Sequence, residues 1–201
     1  YRIFKALFFV PTVFPLTAVG LMWYFIFMPT GSFNSLLEVI GLSDLVMPWL
    51  VDPATAMNTI VFVNVWAGVG YYMVIILAGL TTIPDDVYEA AAIDGANAWQ
   101  RFRYIILPSI KTIVTLNLIL AVSGALSAFE MPYVITDGGF GTSTYFVLMN
   151  KIAHTNQKVG LASAMAVVLL ALILLVTAVQ KIVERRMDSD TPRRRKRRVQ
   201  K

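Results

Sequence analysis

Four long apolar runs, set apart by polar or charged stretches, constrain this chain more than any other feature of its sequence. A helix needs ~20 mostly apolar residues to cross a hydrocarbon core. Residues 4–27, 56–80, 112–135 and 159–182 each meet that length. Only 14% of the 201 residues are charged and 57% are hydrophobic, whereas soluble domains carry about 25% charged residues. The fold class this predicts is an all-α, polytopic membrane protein with four transmembrane helices. Pro11 and Pro15 interrupt the first run; a bilayer tolerates prolines where neighbours satisfy the freed carbonyls. Small residues open the fourth run, Gly160, Ala162, Ser163, Ala164 and Ala166, and suit close helix packing.

Charge placement orients the spans. Residues 28–55 hold Glu38, Asp44 and Asp52 but no Lys or Arg, and residues 136–158 hold only Lys151 and Lys158. All other basic residues lie at Arg2 and Lys5, at Arg101, Arg103 and Lys111, or from Lys181 onward. The positive-inside rule then predicts cytoplasmic placement for both ends and for the loop around Glu89. The run Arg193-Arg194-Arg195-Lys196-Arg197-Arg198 reads as a positive-inside anchor or a contact with anionic lipid, not a nucleic-acid patch. Residues 184–201 are expected to form a disordered cytoplasmic tail after a membrane domain at 1–183, since the tail has little apolar surface to bury. With no cysteine, disulfides, thiolate catalysis and thiolate-held metals are excluded. The chain opens on Tyr1-Arg2-Ile3, without an initiator Met or a signal pattern, and is expected to be a fragment lacking its natural N-terminus.

Between the second and third runs lies a polar island of about thirty residues, far longer than an ordinary connection. Thr82-Ile83-Pro84-Asp85 has the Ser/Thr-x-x-Asp/Glu form that starts helices, and Asp85 and Asp86 suit a first turn. A helix is predicted to about Ile93, with Ala90-Ala91-Ala92 offering a nearly bare surface. Gly95 permits the left-handed residue that ends a helix. Asn97 can cap a second helix, which Pro108 ends or kinks. The spacing is Glu89-Ala90-Ala91, three residues, Gly95, nine residues, then Ile105-x-Leu107-Pro108.

That pattern resembles the cytoplasmic coupling loop of binding-protein-dependent ABC transporter permease subunits, the loop that sits in a groove on the ATPase. Leu77-Ala78-Gly79-Leu80 before Ile83-Pro84, Pro48-Trp49-Leu50 through Asp52-Pro53, Tyr133-Val134-Ile135-Thr136 into Gly138-Gly139, and Gly160-Leu161-Ala162-Ser163-Ala164 are similar to carbohydrate-uptake members of the maltose and glycerol-phosphate type. The resemblance covers residues 1 to about 183. Phe140 departs from it where relatives carry Pro, and Lys111-Thr112 departs where a Pro often follows Leu-Pro. Such relatives have about six spans, two of them before the equivalent of Tyr1. The resemblance implies ATPase-coupling roles for Glu89, Ala90, Ala91, Asp94, Gly95, Ile105, Leu107 and Pro108. It also implies a second permease subunit, two ATPase subunits that hold ATP and Mg²⁺, and an extracellular solute-binding protein. This chain itself would hold no cofactor.

Polar residues inside spans are candidates for a substrate path, with helix packing as the competing reading. Asn64, Gly68 and Tyr71 share a helical face in the second run; Asn117, Ala121, Gly124 and Ala128 form one stripe in the third, with Ser123, Ser127 and Glu130 beside it. In sugar-binding relatives an Asn and a Gly at the places of Asn64 and Gly68 contribute to the central site, and Trp66 also matches. An amide suits sugar hydroxyls because it donates and accepts at once. The relatives' polar contacts on the third span fall here on Ala121, Ala125 and Ala128, so sugar contacts must differ, be weaker or lie in the partner subunit. Glu130 reads either as a carboxylate lining the outer mouth of the path or as one that snorkels to the outer interface or pairs with the partner subunit.

The remaining motifs point nowhere catalytic. His154 has no companion ligands and reads as a solvated surface residue. Asp137-Gly138-Gly139-Phe140-Gly141 lacks the Gly-Lys-Ser/Thr of a phosphate loop and reads as an external turn that touches the binding protein. No nucleophile–base arrangement or paired acid is present, so the chain is not expected to be an enzyme. The expectation is a multi-pass inner-membrane permease that imports a sugar or oligosaccharide, without nucleic acid as a partner. The alternatives are an ABC permease for another small solute and an ion-coupled secondary transporter, although no internal repeat of the kind such carriers show is visible.

Overall fold

A computed structural model describes residues 2–189 of the chain, and among them every regular element is helical. The first apolar run is not one helix. It divides into α1 (Arg2–Val13) and α2 (Leu16–Phe27), because Pro15 takes an extended backbone, φ −56° and ψ 132°, and disfavours helical geometry at Phe14 before it. Pro11 is accommodated inside α1. A tight turn, closed by the Gly31 amide on the Met28 carbonyl at 2.7 Å, leads into α3 (Ser32–Val39). The membrane-length stretch at this end is therefore residues Leu16–Val39, 24 residues across α2 and α3, and α1 is a shorter apolar helix.

The second run forms α4 (Ala56–Leu80), 25 residues as its apolar length predicts. Helix α1 lies almost backbone to backbone on it. A Cβ at Gly70 would come within 2.3 Å of the Phe8 carbonyl oxygen and 2.6 Å of Thr12 Oγ1, so only glycine admits this approach. Between α3 and α4 the chain is clamped by buried Asn34. Its Nδ2 donates to the carbonyls of Pro29 (3.0 Å) and Met47 (3.1 Å), and its Oδ1 accepts from Trp49 Nε1 at 2.7 Å. Above this clamp Trp23 and Phe27 stack at 5.1 Å, with Trp66 edge-on to Trp23. Val19, Leu50, Ile60, Val63, Ala67, Met131 and Ile135 complete the core.

The third run is also broken. Helix α8 (Lys111–Leu126) stops, and α9 (Glu130–Thr136) restarts after three residues. Two causes act together. The Ser127 hydroxyl bonds back to the Ser123 carbonyl at 2.8 Å, which competes with helix continuation. Pro132 has no N–H for the Ala128 carbonyl, and that carbonyl accepts the Thr144 hydroxyl instead, at 2.7 Å. Thr144 also caps α10 (Tyr145–His154), accepting from the Val147 amide. His154 is exposed in its last turn. The last run forms α11 (Val159–Ser189), six residues past the boundary expected at 183; the basic run at 193–198 lies outside the described residues. Of the small residues at its start, Ala162 is buried, whereas an added Cβ at Gly160 would meet nothing.

Among the described residues, three helical stretches thus have the length and apolarity to cross a membrane, and a fourth forms when the pair around Ile110, bent by 68°, is taken as one span.

Candidate functional site

The loop between α4 and α8 is a folded unit. Helix α5 (Asp85–Ile93) begins with Asp85 and Asp86 in its first turn, where carboxylates favour the exposed amides and the helix dipole. Its start differs from the expected capping box. The Thr82 hydroxyl turns back to the Gly79 carbonyl at 2.8 Å, and Pro84, extended at φ −62°, takes the cap position without a side-chain bond. Pro84 needs no such bond because its fixed φ already directs the chain into the helix.

The helix ends on a complete Schellman motif. The Ala96 amide bonds the Ala91 carbonyl at 3.0 Å and the Gly95 amide bonds the Ala92 carbonyl at 3.1 Å, with Gly95 at φ +71°. Two residues later Asn97 and Gln100 form a reciprocal capping box: the Gln100 amide donates to Asn97 Oδ1 (2.9 Å) and the Asn97 amide to Gln100 Oε1 (2.8 Å). This starts α6 (Ala98–Arg101).

The chain then widens into a π turn over Phe102–Ile106 before α7 (Leu107–Ser109). Pro108 explains the widening, since its ring excludes the Tyr104 carbonyl from the normal position and its nitrogen has no hydrogen to donate. The Ser109 hydroxyl takes up the Ile105 carbonyl at 2.6 Å. The bend itself falls at Ile110, φ −96° and ψ 7°, two residues beyond the proline named in the sequence.

Glu89, Ala90, Asp94, Gly95 and Pro108 are exposed on this unit; Ile105 and Leu107 are half-buried, and Ala91 is buried. Sequence reasoning passed over the apolar residues the loop leaves in the open. Ile93 is 87% exposed, Tyr104 72% and Trp99 68%, with the Trp99 and Phe102 rings 5.8 Å apart. Large apolar groups gathered on a polar connector mark a contact surface. The available signal was their presence in an island otherwise rich in Ala and charge.

The candidates within the spans separate into two groups. Asn64 and Tyr71 lie on the exposed side of α4, and Gly68 is half-buried near the Tyr72 ring. Trp66 points the other way, into the aromatic cluster with Trp23 at 5.2 Å, so it does not join them. Asn117 is buried between α8 and α4, its Nδ2 donating to the Tyr72 carbonyl at 3.3 Å, with Oδ1 unpartnered. Its stripe is a helix contact at that point. Ser123 is half-buried and Ser127 exposed, their link being the backbone bond that ends α8. Glu130 begins α9 and accepts a hydrogen bond from Thr17 Oγ1 at 3.2 Å.

Kinked apolar helices joined by a capped, exposed two-helix loop define a multi-pass membrane protein. Comparison with known proteins specifies the class: residues 1–189 match the family of binding-protein-dependent transport system inner membrane components, and the chain belongs to that family. It is an inner-membrane protein of several spans. It is 37% identical over 180 residues to YurN of Bacillus subtilis (strain 168), a probable ABC transporter permease protein, covering 88% of this chain and 62% of the relative. It is 36% identical to the trehalose/maltose transport system permease protein MalF of Thermococcus litoralis, covering 85% and 56%. It is 37% identical to the sulfoquinovosyl glycerol transport system permease protein SmoG of Agrobacterium fabrum, covering 89% and 58%. The chain therefore spans somewhat under two thirds of these relatives' lengths. Its fold is similar to a chain of a bacterial ABC transporter involved in the import of the acidic polysaccharide alginate, with a TM-score of 0.84 at 21% identity, covering 92% of this chain and 65% of that one.

Proposed function

We propose that this chain forms part of the translocation path of an ATP-driven importer of a sugar or oligosaccharide. In this reading residues 82–108 couple it to ATPase subunits. A second permease subunit completes the path, two ATPase subunits hold ATP and Mg²⁺, and an extracellular solute-binding protein delivers the cargo. The observation that carries the reading is the loop itself. Its Schellman turn and capping box hold two short helices in a fixed relation, and Ile93, Trp99 and Tyr104 stand ready for burial against a partner.

Closure of the ATPases draws the loops together and opens the path outward; their reset releases a single cargo inward. The basic residues flanking the loop, and the scarcity of Lys and Arg in residues 28–55 and 136–158, favour both ends and the loop in the cytoplasm. Support for a sugar comes from the relatives named for trehalose, maltose and sulfoquinovosyl glycerol. Glu89, Ala90, Asp94, Gly95, Ile105, Leu107 and Pro108 supply the coupling surface, with buried Ala91 beneath it, and Asn64, Gly68 and Tyr71 face the path.

The test is capture of the cognate ATPase by the full permease in detergent. Capture is expected for the native chain and lost for Glu89→Arg combined with Gly95→Trp, with membrane insertion retained. Undiminished capture by that double variant would remove the docking role.

A further inference from the structure

The Gly-rich turn after α9 does more than reverse the chain. Asp137 and Phe140 both hold left-handed backbone, φ 50° and 51°, a conformation rare for residues with a Cβ and costly for a bulky one. Phe140 draws little packing in return, since it is 45% exposed. A side chain both strained and exposed calls for a role outside folding.

Phe140 lines a cavity of about 370 Å³ together with Tyr24 of α2 and Tyr133 of α9, within the size range of small-molecule sites, about 300–1,000 Å³. Its floor is rigid, because Leu50 and Ile135 belong to the buried core. Its rim is fixed as well. Lys151 Nζ pairs with Asp137 Oδ2 at 3.1 Å and also donates to the Asp137 carbonyl, and Thr136 and Thr142 share a hydroxyl bond. Tyr133 stacks on Phe129 at 4.9 Å and remains 42% exposed.

We propose that this cavity is an entry subsite for one or two pyranose units of an incoming saccharide, at the outer end of the path. The inference rests on the sugar-import reading above and adds a place where the chain itself holds the sugar. Pyranose rings present an apolar C–H face to aromatic side chains and hydroxyls around the edge. The Tyr24, Tyr133 and Phe140 rings meet the first. The tyrosine hydroxyls and the Asp137 carboxylate, 68% exposed, meet the second. A wholly apolar occupant would strip water from those polar groups without replacing their hydrogen bonds.

The experiment uses the assembled transporter in lipid nanodiscs without its solute-binding protein. Trehalose, maltotriose and an alginate trisaccharide are first screened for uptake by the complete system, and a transported sugar is then followed by saturation-transfer NMR. Phe140→Gly relieves the backbone while removing the ring, Tyr133→Leu removes the second ring, and Phe140→Trp keeps a ring in place. Binding is expected to weaken about tenfold, the equivalent of ~1.4 kcal/mol, in the first two and to persist in the third. Transport of none of the three sugars would defeat the sugar reading and the subsite with it. A transported sugar that binds both ring-deleted variants like the native protein would overturn the subsite alone. So would variants that lose only capture of the solute-binding protein.

Discussion

The Thr17 hydroxyl donates to the Glu130 carboxylate across 3.2 Å, joining residues 113 positions apart. Each stands in the first turn of a helix that follows a break, α2 after Pro15 and α9 after Phe129. The two interrupted runs are thus tied where both restart, and Gly20 one turn on allows α9 to approach, since a Cβ there would touch Val134 Cγ1 at 3.0 Å. Both partners are exposed, which limits the bond to the net worth of a surface interaction, about 0.5–1 kcal/mol. Thr17→Val and Glu130→Gln should each lower the thermal midpoint of the detergent-solubilised protein slightly, and together by less than their sum. Strict additivity would show that the two side chains do not interact.

Gly95 separates a folding requirement from a docking one. Its φ of +71° makes any Cβ costly by about 1–2 kcal/mol, yet an added Cβ there would meet no atom within 4 Å. Gly95→Ala and Gly95→Trp should therefore destabilise the isolated chain alike. Coupled transport should survive the first in large part and fail with the second, as read by ATP hydrolysis against uptake. Equal transport by both would argue against a close partner surface at this turn.

At Gly70 the constraint is internal. Substitution by Ala would drive a methyl group into the Phe8 carbonyl and force α1 off α4, a cost of about 1–3 kcal/mol or more. Gly124→Ala is the control, since its Cβ would meet nothing and alanine improves helix propensity by up to ~1 kcal/mol. Thermal midpoints should fall for the first and hold or rise for the second.

Asn34 holds the segment between α3 and α4 by three hydrogen bonds. Asn34→Leu fills the space but strands the Pro29 and Met47 carbonyls and the Trp49 indole N–H, at about 1–3 kcal/mol for each group left buried and unpaired. Loss of stability with a shifted tryptophan emission is expected, and an unchanged midpoint would mean that water replaces the amide at no cost.

Local rules account for what was legible in the residues alone. The length of an apolar run sets a span, so α4 matches its expected bounds and α11 its expected start. The left-handed end of α5 at Gly95 and the cap at Asn97 followed from preferences that act within a few residues. The breaks did not. A proline removes one N–H wherever it stands, but whether the helix bends, widens or restarts depends on which other group reaches the freed carbonyl. At Ala128 it is Thr144, sixteen residues away; around Pro108 the chain instead widens into a π turn, with the Ser109 hydroxyl on the neighbouring Ile105 carbonyl. The same holds for the polar stripes. Helical spacing grouped Asn64 with Gly68 and Tyr71, and Asn117 with Ala121 and Gly124, and the family resemblance added Trp66; only packing against α1, α2 and α8 left Asn64 and Tyr71 exposed and turned Trp66 and Asn117 inward. What the sequence by itself determined is the apolar runs, the unbroken helices α4 and α11 among them, and the capped loop, because apolar length and caps are local. Only the tertiary structure decided where the spans break and which polar faces stay open, because both depend on donors and surfaces brought from distant parts of the chain.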